Sequence, residues 1–232
     1  MALTHKPALL IFDLDGTLAH TLPQLGAAVQ AVCRRMGYAV PSMEQVSDYI
    51  GNGIGLLLAR ALTLRTGAEV TDVPEAVRVK ARQLFDEEYG AHLNENFTVY
   101  PGVRECLELC RRRGIKTAVL TNKAQSFAVP LLNFMGLADL FDLILGGEVL
   151  KERKPDPHPV WYVCEKLGVK PEDACMVGDS VNDFAAGRNA GTGVIAFTFG
   201  YNRGRDVRES QPDYVFDSYA AFISLLQSLP EN

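Results

Sequence analysis

The sequence predicts an α/β protein: a doubly wound, mostly parallel sheet with an all-helical segment inserted after its first strand. Three observations carry that prediction. The apolar run Leu9-Leu10-Ile11-Phe12 is short, has no helical period and ends abruptly in Asp13-Leu14-Asp15-Gly16-Thr17, which marks a fully buried strand. From about residue 102 onward, short apolar runs alternate with helical patterns, as they do when a parallel sheet is covered on both faces. Between these two regions, residues 20–92 keep helical spacing and contain no strand pattern. Residues 1–19 and 93–232 are therefore expected to form the α/β core, and 20–92 a helical cap. An insertion at that point stands above the C-terminal ends of the strands, where open α/β sheets place their chemistry.

The elements follow in order. The first strand covers 8–13. Leu22, Leu25, Val29, Val32, Cys33 and Met36 recur at helical spacing, and Gly37 stops them. Ser42, with Gln45 three residues on, begins a short helix over 42–50 through a capping box, and Glu44 adds negative charge to its first turn. Gly51-Asn52-Gly53 is a turn. Residues 54–64 form an apolar helix closed near Gly67. Residues 74–89 form a fourth helix with Val77, Ala81, Leu84, Phe85 and Tyr89 on one stripe. After Pro101-Gly102 come a helix (102–113), a strand (116–120), a helix (124–135) and a short strand (143–145). A helix (157–167), a strand (174–177), a helix (182–190) and a strand (194–197) continue the alternation. Tyr214-Val215-Phe216 reads as an edge strand, and Asp217 as the cap of a last helix.

Composition bounds the function. A chain of 232 residues is long enough for a sizeable core. Its net charge of −5 repels polyanions, so no nucleic-acid partner is expected. Arg111-Arg112-Arg113 reads as the solvated end of a helix. No basic segment with a long apolar core opens the chain, and no apolar run approaches bilayer length, so neither secretion nor membrane binding is expected. The five cysteines, Cys33, Cys106, Cys110, Cys164 and Cys175, form no CxxC pair, which points to free thiols in a reducing cytoplasm. His5, His92 and His158 make no ligand pattern. A monomer and a homodimer both remain open.

Chemistry gathers at four strand or loop ends. Asp13 and Asp15 end the first strand, and Gly16 lets the chain turn so that backbone N–H groups face an anion; the plainer reading is two acids capping a turn. Thr121-Asn122-Lys123 offers a hydroxyl, an amide and N–H groups to phosphate oxygens, or else caps a helix. Lys154 stands directly before the rigid Pro155-Asp156-Pro157 and can act as a compact point charge, with Lys151 and Arg153 as competitors; taken alone it reads as an exposed surface lysine. In Gly178-Asp179-Ser180-Val181-Asn182-Asp183, two acids four apart at a strand-to-helix junction invite a hard cation. Mg²⁺ needs only one or two carboxylates. Asp179, nearer the strand end, is the expected direct ligand, with Asp183 orienting Asp179 or a water; the plainer reading is an N-cap and a solvated acid.

In that order, the groups DxDGT, TN, KPxP and GDSxND resemble the haloacid dehalogenase-like phosphohydrolase superfamily over nearly the whole chain, and the helical insertion resembles its C1 cap. The resemblance implies that Asp13 is the nucleophile and Asp15 the general acid and base. It implies that Mg²⁺ is held by Asp13, by Asp15 through its backbone carbonyl, and by Asp179, with Ser180 and Asp183 behind. Gly16, Thr121, Asn122 and Lys154 are implied to bind the phosphoryl group of a small phosphoester. Asp15 excludes the dehalogenase branch. Lys80 is the only lysine of the insertion and lies in its last helix, which speaks against the phosphonatase branch. A β-phosphoglucomutase-like phosphotransfer isomerase remains the alternative to a phosphatase, although Thr17 resembles the hydrolytic members. Tyr49-Ile50-Gly51-Asn52-Gly53 and Phe199-Gly200-Tyr201-Asn202-Arg203-Gly204 resemble the phosphoglycolate phosphatase branch, which implies 2-phosphoglycolate as substrate. Ala19-His20-Thr21 departs from the family pattern of an acid and a serine. His20 therefore either titrates at the cap hinge or is an inert surface histidine, and His20 and Asn52 are the candidate contacts to substrate or cap.

Overall fold

The structure, a computed structural model, describes residues 6–230, so His5 lies outside it. The chain begins with β1 (Leu9–Phe12) and β2 (Ala19–His20), then α1 (Leu22–Met36), α2 (Met43–Tyr49), α3 (Ile54–Thr63) and α4 (Glu75–Ala91). It continues through β3 (Thr98–Val99), α5 (Val103–Arg112), β4 (Lys116–Ala124), α6 (Gln125–Phe134), β5 (Leu143–Gly147) and α7 (His158–Leu167). It ends with β6 (Ala174–Gly178), α8 (Val181–Ala190), β7 (Gly193–Phe197), β8 (Tyr214–Phe216) and α9 (Tyr219–Ser228).

Six strands form one sheet in the order β5-β4-β1-β6-β7-β8. Every neighbouring pair is parallel. β1 sits in the middle, with Ile11 in register with Ala118 on one side and Met176 on the other. All four of its residues are buried because both sheet faces are covered. Leu10 and Phe12 share a cluster with Val103 and Cys106 of α5 and Phe222 and Leu226 of α9. Leu9 and Ile11 share the opposite one with Val160 and Val163 of α7 and Ala186 and Ala190 of α8. Burial of each such aliphatic or aromatic side chain is worth about 1.5–3 kcal/mol, which is why this strand tolerates no polar residue before Asp13. From β1 the chain winds outward through β4 and β5, then returns and winds the other way through β6, β7 and β8. That reversal opens a crevice beyond the C-terminal end of β1.

Local signals behave as the sequence predicts at several places. Gly37 takes the left-handed conformation, φ 73°, at the end of α1. The Ser42–Gln45 capping box forms, with Gln45 N donating to Ser42 Oγ at 3.2 Å and Ser42 N to Gln45 Oε1 at 2.8 Å. Other places differ. Ala19 and His20 pair antiparallel with Val99 and Thr98, so the two chain crossings between sheet and helical segment are joined as a ribbon. Two-residue strands carry no periodicity to read. α3 closes at Leu64, itself left-handed at φ 53°, and not at Gly67. β4 runs on to Ala124 with an irregularity after Leu120, so Thr121-Asn122-Lys123 belongs to a strand and caps no helix. Ser218 rather than Asp217 caps α9, its hydroxyl accepting from Ala221 N at 3.4 Å.

Candidate active site

The sheet places Asp13 at its centre. Asp13 N donates to Val177 O at 2.9 Å, which carries the β1–β6 pairing one residue past the strand. Gly16 then turns the chain at φ +90°, and a Cβ there would lie 2.5 Å from Asp179 Oδ2. Only glycine fits that approach. The tight turn aims Thr17 at the neighbouring strand end, and its hydroxyl donates to Asp179 Oδ1 at 2.5 Å. Asp179 Oδ2 accepts from Tyr201 N at 2.6 Å.

Three acids meet here. Oxygens of Asp13, Asp179 and Asp183 lie within 4.8 Å of one another. Lys154 threads between two of them, its Nζ 2.9 Å from Asp13 Oδ1 and 2.6 Å from Asp183 Oδ1. The other Asp183 oxygen accepts from Ser180 N at 3.0 Å and Ser180 Oγ at 2.8 Å. Asp183 is thus saturated, whereas Asp13 Oδ1 is buried and accepts no hydrogen bond of good geometry. Burial pushes the Asp13 carboxyl up to about 6; Lys154 opposes this, and Asp183 and Asp15 add to it. Burial also drives Asp179 well above its ordinary range, with Asp183 and Asp13 pushing the same way. Burial disfavours the charge on Lys154, but Asp13 and Asp183 outweigh it and raise its pKa. One ammonium among three crowded carboxylates leaves negative charge uncompensated. Hard oxygen donors that outnumber the one cation among them fit a small divalent cation such as Mg²⁺.

Asp15 turns away from this cluster. Its Oδ1 accepts from Thr21 Oγ1 at 2.7 Å, and Lys123 Nζ donates to Oδ1 and Oδ2 at 3.0 and 3.1 Å. The Lys123 side chain is 3% exposed. Its Nζ lies 4.8 Å from the centre of the Tyr89 ring. Burial disfavours its charge, but Asp15 and Tyr89 prevail and raise its pKa.

Asn122 braces two segments rather than standing open. Its amide donates to Gly51 O at 2.8 Å and Lys154 O at 2.9 Å, and its oxygen accepts from Lys154 N at 3.1 Å. Thr121 is buried, and its hydroxyl accepts from Lys123 N at 3.2 Å. Asn52 is drawn to the boundary between helical segment and sheet. Its Oδ1 accepts from Arg60 at 3.0 Å and from Arg203, and its amide donates to Asn182 Oδ1 at 3.2 Å. His20 lies in β2, its Nδ1 2.8 Å from Tyr201 Oη. That same phenolic oxygen accepts from Thr21 N and Leu22 N, both at 2.9 Å.

Lys123, Thr17 and Tyr201 also contact these acids, although the sequence does not single them out. Lys123 directly follows the Thr-Asn pair, so its place on the same strand end was the available signal. Tyr201 lies inside the quoted Phe199–Gly204 turn, but nothing in sequence links it to Asp179 or to the hinge. Asp13, Asp15, Thr121, Asn122 and Lys123 floor a cleft. Leu25, Ile50, Ile54, Leu57 and Phe85 of the helical segment wall it.

The chain's kinship agrees with this geometry. Residues 10–197 match the model of the haloacid dehalogenase-like hydrolase family. The phosphoglycolate phosphatase of Thiobacillus denitrificans is 42% identical over 90% of this chain and 91% of its own. That of Haemophilus influenzae is 40% identical over 93% of this chain and 96% of its own. The crystal structure of a predicted phosphoglycolate phosphatase from Haemophilus somnus superposes with a TM-score of 0.86 at 34% identity, covering 94% and 97% of the two chains. The chain belongs to the haloacid dehalogenase-like hydrolase family. Within it, this is a phosphoric monoester hydrolase, similar along almost its whole length to phosphoglycolate phosphatases.

Proposed function

We propose that the protein is a Mg²⁺-dependent phosphatase that hydrolyses 2-phosphoglycolate to glycolate and phosphate through an aspartyl phosphate. The observation that carries this reading is Asp13 Oδ1. It stands at the tip of the central strand, free of good hydrogen bonds, 2.9 Å from a buried ammonium and at the floor of the cleft.

Asp13 Oδ1 attacks phosphorus, and the bond to the ester oxygen breaks as Asp15 delivers a proton to that oxygen. Asp15 then takes a proton from water, the water oxygen attacks phosphorus, and the Asp13–phosphorus bond breaks to release phosphate. Covalent catalysis of this kind divides one difficult displacement into two easier ones, and proton transfer by Asp15 contributes about 10²–10⁴-fold. Lys154 fixes Asp13 and offsets charge as the phosphoryl group approaches, while Asp183 and Ser180 hold Lys154 and the loop in place. Asp13, Asp179 and the backbone carbonyl of Asp15 would hold Mg²⁺, which when bound supplies positive charge against the phosphoryl oxygens. Thr121 offers its hydroxyl to the transferring group, whereas the Gly16 N–H expected to join it is taken by Ala19 O at 2.9 Å, and residues 20–92 act as a cap that excludes water.

The relatives named as phosphoglycolate phosphatases support the substrate. The five free cysteines, all buried, support a reducing cytoplasm. Among the described residues no helix is long and apolar enough to cross a membrane. The test is phosphate release from 2-phosphoglycolate with Mg²⁺ and with chelator. Wild type is expected to release phosphate without a bisphosphate activator and to stop on chelation. Asp13→Asn is expected to lose turnover while keeping its circular dichroism spectrum; normal turnover by that variant would remove Asp13 from the mechanism.

A further inference from the structure

Lys123 has no part in the reaction steps, yet it is the one cation among the described residues that line the cleft. Lys154 is committed to Asp13 and Asp183. Arg60, Arg153 and Arg203 converge on Asn52, beside the cleft rather than in it. We propose that Lys123 receives the substrate's carboxylate and thereby selects 2-phosphocarboxylates, 2-phosphoglycolate being the smallest, over neutral and polyhydroxylated phosphoesters. This deepens the phosphatase reading and rests on it.

Reach supports the assignment. Lys123 Nζ lies 3.0 and 3.1 Å from the two oxygens of Asp15. Asp15 serves the ester oxygen across one hydrogen bond, about 2.7 Å long. An ammonium beside Asp15 therefore faces the first atoms of the leaving group. In 2-phosphoglycolate the carboxylate is bonded to the very carbon that bears the ester oxygen, so it falls within that reach. A lysine ammonium has three N–H donors, and Asp15 engages two oxygens of one group. Lys123 also meets Tyr89, its Nζ 4.8 Å from the ring centre, and lines the cleft itself, so a substrate carboxylate would compete with the Tyr89 contact for the ammonium.

The wall adds the exclusion. Leu25, Ile50, Ile54, Leu57 and Phe85 present no side-chain donor or acceptor, and of the lining residues in the helical segment Tyr89 alone carries one, beside Lys123. A sugar phosphate held there would bury hydroxyls without partners, each costing about 10-fold or more in affinity. The same apolar wall lowers the local dielectric and strengthens the pairing of one carboxylate with one ammonium.

The experiment compares kcat/KM for 2-phosphoglycolate and ethyl phosphate, which lacks the carboxylate, in wild type, Lys123→Gln and Lys123→Arg. Wild type is expected to prefer 2-phosphoglycolate by about 10²-fold, the range of a charge-assisted contact. Lys123→Gln is expected to slow both substrates but to lose most of that preference through KM, and Lys123→Arg to restore part of it. A wild-type ratio near one overturns the proposal without recourse to any variant. An unchanged ratio in Lys123→Gln also overturns it, because Lys123 would then act only through Asp15. Absence of phosphate release from every ester would instead count against the phosphatase reading itself.

Discussion

Asp13 and Asp179 hold their carboxylates against burial and against each other, and this has a thermodynamic sign. A carboxyl whose folded-state pKa is raised binds protons better folded than unfolded, so it contributes stability at low pH that is lost as pH rises. For Asp13 the window runs from the ordinary 3.8 to about 6. The metal-free protein is therefore expected to lose stability across that interval, and Asp179 extends the loss to higher pH. Mg²⁺ should raise the melting temperature more at pH 7.5 than at pH 5, as thermal unfolding with and without the ion would register; an equal rise at both would place the ion elsewhere. At this scale the acids were legible because an apolar strand that ends abruptly in two carboxylates puts them beyond its C-terminal end, where open α/β sheets place their chemistry. Lys123 and Tyr201 were not, because their partners are 108 and 22 residues away in the chain and only the folded sheet brings them together.

The turn after α2 shows how an element does work that its composition conceals. Gly51-Asn52-Gly53 reads as a simple reversal, yet Gly51 O accepts from Asn122 at 2.8 Å and from Asn182 at 3.1 Å. Asn52 supplies an oxygen to Arg60, which is 7% exposed and has its Nε buried without a partner. Asn52→Ala would strip that guanidinium of one of its few acceptors and loosen the turn from α8. The expected cost is about 1–3 kcal/mol in urea unfolding, with a rise in KM for substrate. A change within a few tenths of a kcal/mol would mean that water replaces the contact. Helix limits were legible where the signal is local, as in the Ser42–Gln45 box and the stop at Gly37. They failed at α3, which closes in a left-handed Leu64 three residues before the glycine, and at Asp217, where the neighbouring serine takes the cap.

Across the whole molecule, stability and chemistry are divided between layers. Alternation of strands and helices made the parallel sheet legible, but not its order, because register across β4, β1 and β6 is set by contacts far apart in sequence. β1 is buried on both faces, whereas the Gly51–Gly53 turn is held to β4 and α8 by side-chain amides that donate to Gly51 O. Amides of β1 should exchange with deuterium only on global unfolding, and those of residues 51–53 much sooner. Mg²⁺ together with inorganic phosphate should slow exchange in that turn and leave β1 unchanged. Protection in β1 alone would argue against closure over the strand ends.

The antiparallel ribbon of Ala19–His20 with Thr98–Val99 has a consequence for engineering. It brings the entry and exit of the intervening seventy-odd residues side by side, so the segment is stapled at its root and can be exchanged as a module. A transplant that keeps those four positions and substitutes a foreign helical insert is expected to keep the acids, the lysine between them and the crevice, and to change which molecules are admitted.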